Sequence, residues 1–205
     1  MTDTINELNN FHLDVLKEIG NIGAGNAATA LAKLLDKRIE MEVPQIRIMK
    51  FSEVSDVLGG AETPVVGILL RIQGDITGNM MFILDTPSAR LLVNILMGKP
   101  LEADLDFDEM TSSVLTEIGN ILAGSYLSAL SNMTNLRIMP GVPALAMDMA
   151  GAILSVPAIE FGKTSDTVLY IENVFTDGHD SVIGDLFLVP DDMSYGRLLN
   201  ALGVV

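Results

Sequence analysis

The sequence predicts an α/β domain with internal twofold pseudo-symmetry, in which a mostly antiparallel sheet packs against long helices. Three observations support this fold class. The 205-residue chain contains one motif twice, 99 residues apart. Each copy opens with a long helical pattern and continues into short strand-like runs separated by turn residues. The composition is 49% hydrophobic, which is enough apolar material for a substantial core.

The duplication is clearest in a twelve-residue segment. Residues 14–25, DVLKEIGNIGAG, align with residues 113–124, SVLTEIGNILAG, and nine of the twelve positions are identical. The register continues without a gap to Pro44 and Pro143. We therefore expect a single domain, residues 1–205, built from two repeats of about 1–100 and 101–205.

Each repeat predicts a helix, three strands and a closing helix. The long helices are expected at about 11–36 and 108–133, and the second begins with Asp106 and Glu109 at capping-box spacing. The predicted strands are 43–50, 65–72 and 80–85, then 142–149, 167–174 and 183–189, and the closing helices are 86–97 and 191–202. Because so few elements cannot cover both faces of their own sheet, the halves should share one core.

Composition excludes several classes of function. The net charge of −15 argues against nucleic acid or an anionic membrane surface as the main partner. The absence of cysteine excludes disulfides, thiol nucleophiles and cysteine-ligated metals. The N-terminal residues lack the features of a signal peptide, and the most apolar stretch, 142–159, contains two prolines and an aspartate. We expect a cytoplasmic protein without membrane insertion.

A polar stripe is predicted on each long helix. At 100° per residue, one face of each helix carries a carboxylate or hydroxyl, then Glu, Asn and Gly. These residues are Asp14, Glu18, Asn21 and Gly25 in the first repeat, and Ser113, Glu117, Asn120 and Gly124 in the second. Asparagine costs about 0.5 kcal/mol relative to alanine inside a helix. Its presence twice, at the same spacing from Glu, favours a functional role over a solvated face, and each glycine leaves the backbone open to a partner.

The opposite face of each helix predicts a core stripe. Its members are Leu16, Ile19, Gly23, Ala27, Ala30 and Leu34 in the first helix, and Leu115, Ile118, Leu122, Tyr126, Ala129 and Met133 in the second.

The Glu and Asn pair supports a limited chemistry. A carboxylate and an amide, with no accompanying histidine or cysteine, do not make a covalent catalyst. A carboxylate can hold a cation and an amide can orient a water molecule. Phosphoryl transfer is a reaction where this suffices, because its loose transition state depends mainly on placement and charge stabilisation.

These residues resemble the signature of the CheC–CheX–FliY chemotaxis phosphatases. The signature is Asp or Ser, three residues, Glu, two residues, Asn, then 22 residues and Pro. The sequence meets it twice, at Asp14, Glu18, Asn21 and Pro44, and at Ser113, Glu117, Asn120 and Pro143. The length, the duplication and the lack of an added domain are most similar to CheC-type members.

The resemblance implies dephosphorylation of a phosphorylated CheY-type response regulator. In that scheme Glu18 and Glu117 pair with the active-site lysine of the receiver, and Asn21 and Asn120 orient the attacking water. Asp14 and Ser113 support the site, and Pro44 and Pro143 fix the chain ahead of the next strand. The regulator supplies its own Mg²⁺, so no cofactor or metal site of this chain is expected.

The resemblance also implies the deamidase CheD as a partner. A non-catalytic docking module for CheD or a flagellar switch component is the alternative function, and a small-molecule sensor is a more remote one. We expect a monomer, because a duplicated chain has already internalised a twofold contact.

Two other motifs are set aside. The glycine-rich run 23–28 resembles a dinucleotide fingerprint but lies inside a helical pattern with no strand before it. Asp104, Asp106 and Asp108 resemble the start of a calcium loop but lack its glycine and its final glutamate, so a capped helix start is favoured.

The acidity differs between the halves, with net charges of −3 for residues 1–100 and −12 for residues 101–205. A phosphorylated receiver pocket is anionic, so an acidic approach slows encounter at low salt. We hypothesise that the first site associates faster and that added salt narrows the difference. A solubilising acidic face with no kinetic role is the alternative.

Overall fold

The computed structural model describes residues 10–103, 107–161, 167–177 and 180–203. The first repeat contains α1 (Asn10–Leu35), β1 (Glu40–Glu42), β2 (Ile46–Lys50), a 3-10 turn (Phe51–Glu53), α2 (Val54–Val57), β3 (Pro64–Gly74), β4 (Gly78–Asp85) and α3 (Thr86–Met97). The second contains α4 (Glu109–Thr134), β5 (Ile138–Pro140), β6 (Ala144–Met149), α5 (Ala150–Phe161), β7 (Thr167–Thr176), β8 (Ser181–Pro190) and α6 (Asp192–Ala201). The predicted long helices, three main strands and closing helix are confirmed in both repeats.

The strands of the described part form one antiparallel sheet in the order β1, β7, β8, β4, β3, β5. The two repeats meet at its centre, where β4 pairs with β8. The outer strands are exchanged between the repeats, since β2 pairs with β7 and β6 pairs with β3. Each half of the sheet is therefore completed by a strand of the other repeat, which joins the two copies through one sheet.

Both faces of the sheet carry apolar residues. The larger core cluster lies on the face covered by α1 and α4 and includes residues of both repeats, among them Leu16, Phe82 and Leu115. The prediction of a shared core is confirmed. A smaller cluster, which includes Val54, Ile153 and Phe187, lies on the opposite face under α2 and α5.

Five elements were not predicted: β1, the 3-10 turn, α2, β5 and α5. Strands β1 and β5 have three residues each, which is too short for a periodic pattern to identify a strand. Helix α2 has a single turn. Helix α5 is apolar around its whole circumference and contains Pro157, and an apolar run without periodicity cannot be assigned to helix or strand from its pattern.

The predicted core stripes of the long helices are wrong at their C-terminal ends. Leu34 and Met133 are 59% and 37% exposed, whereas Leu31 and Leu130 are buried instead. The apolar face of each helix is therefore rotated away from the predicted stripe in the last turns. The predicted cap of α4 is also wrong: the N-cap is Asp108, whose carboxylate accepts a 2.8 Å hydrogen bond from the Thr111 amide, and Asp106 lies outside the described residues.

Candidate functional site

Each predicted polar stripe lies on the solvent side of its long helix. Asp14, Glu18, Asn21 and Gly25 are exposed on α1, and Ser113, Glu117 and Asn120 are exposed on α4, where Gly124 is half-buried. On the other side of α1, Leu16 and Ile19 are buried in the core, as are Leu115 and Ile118 on α4. The structure therefore brings each predicted set together on one face of one helix, and both faces point away from the sheet.

Close contact between helix and sheet fixes this orientation. Gly20 and Gly119 directly precede the two asparagines. A Cβ atom added to Gly20 would lie 2.3 Å from Cδ1 of Ile46, and one added to Gly119 would lie 2.4 Å from Cγ2 of Ile68. Each helix therefore rests on a strand at this level, which turns the next residue toward solvent. Sequence reasoning missed this role, although the glycine is repeated inside the EIGNI segment of both copies.

The two prolines lie just ahead of a strand, as predicted. Pro44 lies between β1 and β2, and the preceding residue, Val43, has its Cγ1 3.4 Å from the position of a Cβ on Gly20. Pro143 directly precedes β6. The chain directly before Pro44 thus lies beside α1 at the level of Gly20.

The Glu and Asn side chains are available to a partner. Among the residues that the structure describes, Glu18, Asn21, Glu117 and Asn120 have no side-chain hydrogen bond or ion pair within the chain. A Cβ added to Gly25 or Gly124 would have no atom within 4 Å, so the backbone beside each Asn is open. Such groups can bind a partner without first breaking an internal contact.

An open groove runs between the two long helices beside the second stripe. Its volume is about 350 Å³. Its lining includes Asn120, Gly124, Ser125 and Ser128 of α4 together with Asn26 and Ala30 of α1. The surroundings of Asn120 are therefore built by both repeats.

The described residues contain no cluster of three or more His, Cys, Asp or Glu arranged to hold a metal ion. None of the helices in the described ranges is long and apolar enough to cross a membrane.

A second group of polar residues lies on the opposite face of the sheet, away from the stripes. The Tyr170 hydroxyl donates a 2.8 Å hydrogen bond to Oδ1 of Asp185 and lies 3.3 Å from Oε2 of Glu172, and the Arg47 guanidinium carbon is 5.0 Å from the centre of the Tyr170 ring. Burial raises the pKa of Asp185 to about 6. The Glu172 and Asp85 carboxylates also raise this pKa, whereas the Tyr170 hydroxyl and Arg47 lower it. Sequence reasoning did not identify this group.

Comparison with known proteins identifies the family. The model of the CheC-like family matches residues 11–48 and 110–147, and each range contains one long helix with its polar stripe and the proline that follows. The CheY-P phosphatase CheC of Bacillus subtilis (strain 168) is 42% identical over 196 residues, which cover 93% of each chain. The chain belongs to the CheC-like family. The resemblance predicted from the doubled motif is confirmed.

More distant relatives and structural neighbours are also similar to this CheC-like protein. The flagellar motor switch phosphatase FliY of B. subtilis is 25% identical over 135 residues, which cover 65% of this chain and 35% of FliY. The structure of Thermotoga maritima FliY matches with a TM-score of 0.75 at 21% identity and covers 96% of this chain and 98% of that one. A chain of the FliG–FliM complex from H. pylori matches with a TM-score of 0.69 at 11% identity and covers 94% and 100%. These two structures show the shared fold.

Proposed function

We propose that this chain hydrolyses the aspartyl phosphate of a CheY-type response regulator. The observation that carries the proposal is the pair of Glu and Asn side chains on one face of each long helix, exposed and without a hydrogen bond or ion pair to any other residue in the described ranges. The name of the 42% identical relative, a CheY-P phosphatase, supports the same activity.

Glu18 and Glu117 are proposed to bind the regulator. Each carboxylate lies one turn before its Asn on the same helix face, so both side chains reach the same partner. The carboxylate pairs with the active-site lysine of the receiver. Because both groups are exposed before binding, the pair contributes orientation and a modest affinity rather than a large stabilisation.

Asn21 and Asn120 are proposed to act in the chemical step. The amide of each Asn holds a water molecule in line with the phosphorus atom. The water oxygen forms a bond to phosphorus as the bond to the aspartyl oxygen breaks, which releases inorganic phosphate and the free carboxylate of the regulator. No side chain of this protein forms a covalent intermediate, and the regulator's own Mg²⁺ is expected to balance the charge on the phosphoryl group.

The remaining stripe residues are proposed to support this contact. Asp14 and Ser113 lie one turn before the glutamates, and Gly25 and Gly124 allow the partner to approach the helix backbone. Pro44 and Pro143 hold the chain beside the helices ahead of β2 and β6. The resemblance also leads us to propose CheD as a second partner and a cytoplasmic monomer as the working state.

The test is the decay of a phosphorylated regulator. Phosphorylated B. subtilis CheY is followed with and without the protein, and we expect the protein to accelerate its decay. Glu18→Ala and Glu117→Ala should mainly weaken binding of the regulator, while Glu109→Ala, which removes another exposed carboxylate of α4, should leave binding unchanged. Unaccelerated decay would favour the alternative, a docking module for CheD or a flagellar component.

A further inference from the structure

The two candidate sites lie close together on the same side of the molecule. Helices α1 and α4 cover the same face of the sheet and direct both stripes outward. They also contact each other directly, since a Cβ added to Gly23 of α1 would lie 2.4 Å from the ring of Tyr126 of α4. Gly23 is two residues from Asn21, and Tyr126 is six residues from Asn120.

The groove gives a second measure of this separation. Asn26 of α1 and Asn120 of α4 line the same groove. Asn26 lies five residues beyond Asn21, which is about 7.5 Å along the helix axis, and helices in contact have axes about 8–10 Å apart. The axial and lateral offsets are perpendicular, so both routes place the two catalytic asparagines on the order of 10–15 Å from each other.

A protein partner is larger than this distance. A domain of about 100 residues has a radius of gyration of about 13 Å, so it is roughly 30 Å across. Two such domains, each seated over one Asn and approaching from the same side, would overlap. The glycines beside the asparagines deepen the conflict, because they let the partner come close to the helix backbones.

We propose that the two sites exclude each other, so that one chain binds one phosphorylated regulator at a time, through either α1 or α4. This inference rests on the proposed function, because it takes the regulator as the occupant of both sites. The duplication then gives two alternative ways to engage one partner across a shared groove, in place of two independent enzymes on one chain.

Binding stoichiometry tests the proposal. The full chain is titrated with B. subtilis CheY carrying Mg²⁺ and beryllofluoride, a stable mimic of the aspartyl phosphate, and the molar ratio is measured by calorimetry and sedimentation. We expect one CheY per chain for the unmodified protein and for each of the double variants E18A/N21A and E117A/N120A. Two CheY per chain would overturn mutual exclusion and leave the phosphatase proposal intact. No binding at all would overturn both.

A kinetic rescue provides a second test. Under exclusion, an N21A chain still captures phosphorylated regulator through Glu18 in an unproductive complex. Removing Glu18 as well should release that regulator to the second site, so E18A/N21A should turn over faster than N21A at saturating regulator, by about twofold if the sites bind equally. The mirror pair, N120A against E117A/N120A, should behave in the same way. Equal turnover within both pairs would mean that the sites are independent.

Discussion

The Tyr126 ring of α4 fills the space that a side chain at Gly23 of α1 would need, where the two long helices are in contact. A Cβ atom on Gly23 would lie 2.4 Å from Cδ1 of the Tyr126 ring. The equivalent positions in the other repeat are reversed in size, because Leu122 corresponds to Gly23 and Ala27 corresponds to Tyr126. At this contact a small residue of α1 therefore receives a large residue of α4. Glycine is required at position 23 because the Tyr126 ring leaves no room there for a side chain.

Gly23→Ala should destabilise the fold. The added methyl group would clash with a buried ring, and overpacking of this kind costs about 1–3 kcal/mol. Gly25→Ala is the matched control two residues away, where a Cβ meets no atom within 4 Å. That change should raise the free energy of unfolding by about 0.5–1 kcal/mol, since alanine is the better helix residue. Urea unfolding measures both variants, and equal effects would contradict the packing described.

Tyr126→Phe should also destabilise the fold. The buried Tyr126 hydroxyl donates a hydrogen bond to Oδ1 of Asn173, and burial raises the pKa of this tyrosine. Removing the hydroxyl leaves a buried acceptor without its donor, at a cost of about 1–3 kcal/mol. Tyr195→Phe is the control, because the buried Tyr195 hydroxyl has no hydrogen-bond partner among the described residues. Thermal unfolding should show a loss for the first variant and no loss for the second; the reverse order would be incompatible with these contacts.

Asp185→Asn should change how stability depends on pH. Burial raises the pKa of Asp185 from 3.8 to about 6, so the folded chain keeps this proton to higher pH than the unfolded chain. The stability that the protonated carboxyl contributes is present below about pH 4 and is lost as the pH rises through about 6.

The neutral amide should therefore leave stability unchanged at pH 4 and raise the free energy of unfolding at pH 7.5 by about 1–3 kcal/mol. Urea titrations at the two pH values measure the difference. A pH-independent effect would rule out Asp185 as the titrating group.

Lys17 should speed encounter at the first site. It is exposed next to Glu18, whereas the equivalent residue beside Glu117 is Thr116. In an E117A/N120A background, where the regulator binds through the first site, Lys17→Thr should slow association with the anionic phosphorylated regulator at low salt, and added salt should narrow the difference. In an E18A/N21A background, Thr116→Lys should speed association at the second site. Stopped-flow association rates across ionic strength measure both changes. Rates that respond equally to salt with and without the lysine would show that the lysine does not speed association.

The structure also changes how the charge imbalance is understood. The sequence suggested that the second site has the more acidic surroundings, because residues 101–205 carry most of the net charge. Exchange of the outer strands mixes the halves: β2 of the first repeat pairs with β7, which carries Glu172. The charge of a half is therefore not the charge around its own site. The difference in charge that remains between the two sites lies on the long helices, at positions such as Lys17.

The long helices and the main strands were predictable from the sequence, because they carry local patterns over many residues. A helix that repeats Glu and Asn on one face needs no tertiary information to place Glu18 and Asn21 together. Strand-like runs bounded by turn residues predicted β3, β4, β7 and β8. Strand exchange was not predictable, because it depends on which sheet edge the segments at 46–50 and 144–149 reach. The short β1 and β5 and the uniformly apolar α5 carry no period that distinguishes their structure.

The groove between α1 and α4 could not be predicted from the sequence either. Asn26 is one residue beyond the predicted polar stripe, and nothing in its own repeat links it to Asn120. The link arises from the helix crossing at Gly23 and Tyr126, where the two copies differ. A duplication shows which residues are shared by the copies, but the contact between copies is made by residues that differ.

The most direct test of the central claim is the decay of phosphorylated CheY with the double variant N21A/N120A. We expect the acceleration to fall by at least about 100-fold, to the spontaneous rate, because the variant lacks both groups that orient the attacking water. Far-UV circular dichroism and urea unfolding should match the unmodified protein, since both asparagines are exposed, and Asn200→Ala, at an exposed position of α6, should keep full activity. A folded double variant that still accelerates the decay would remove Asn21 and Asn120 from the mechanism.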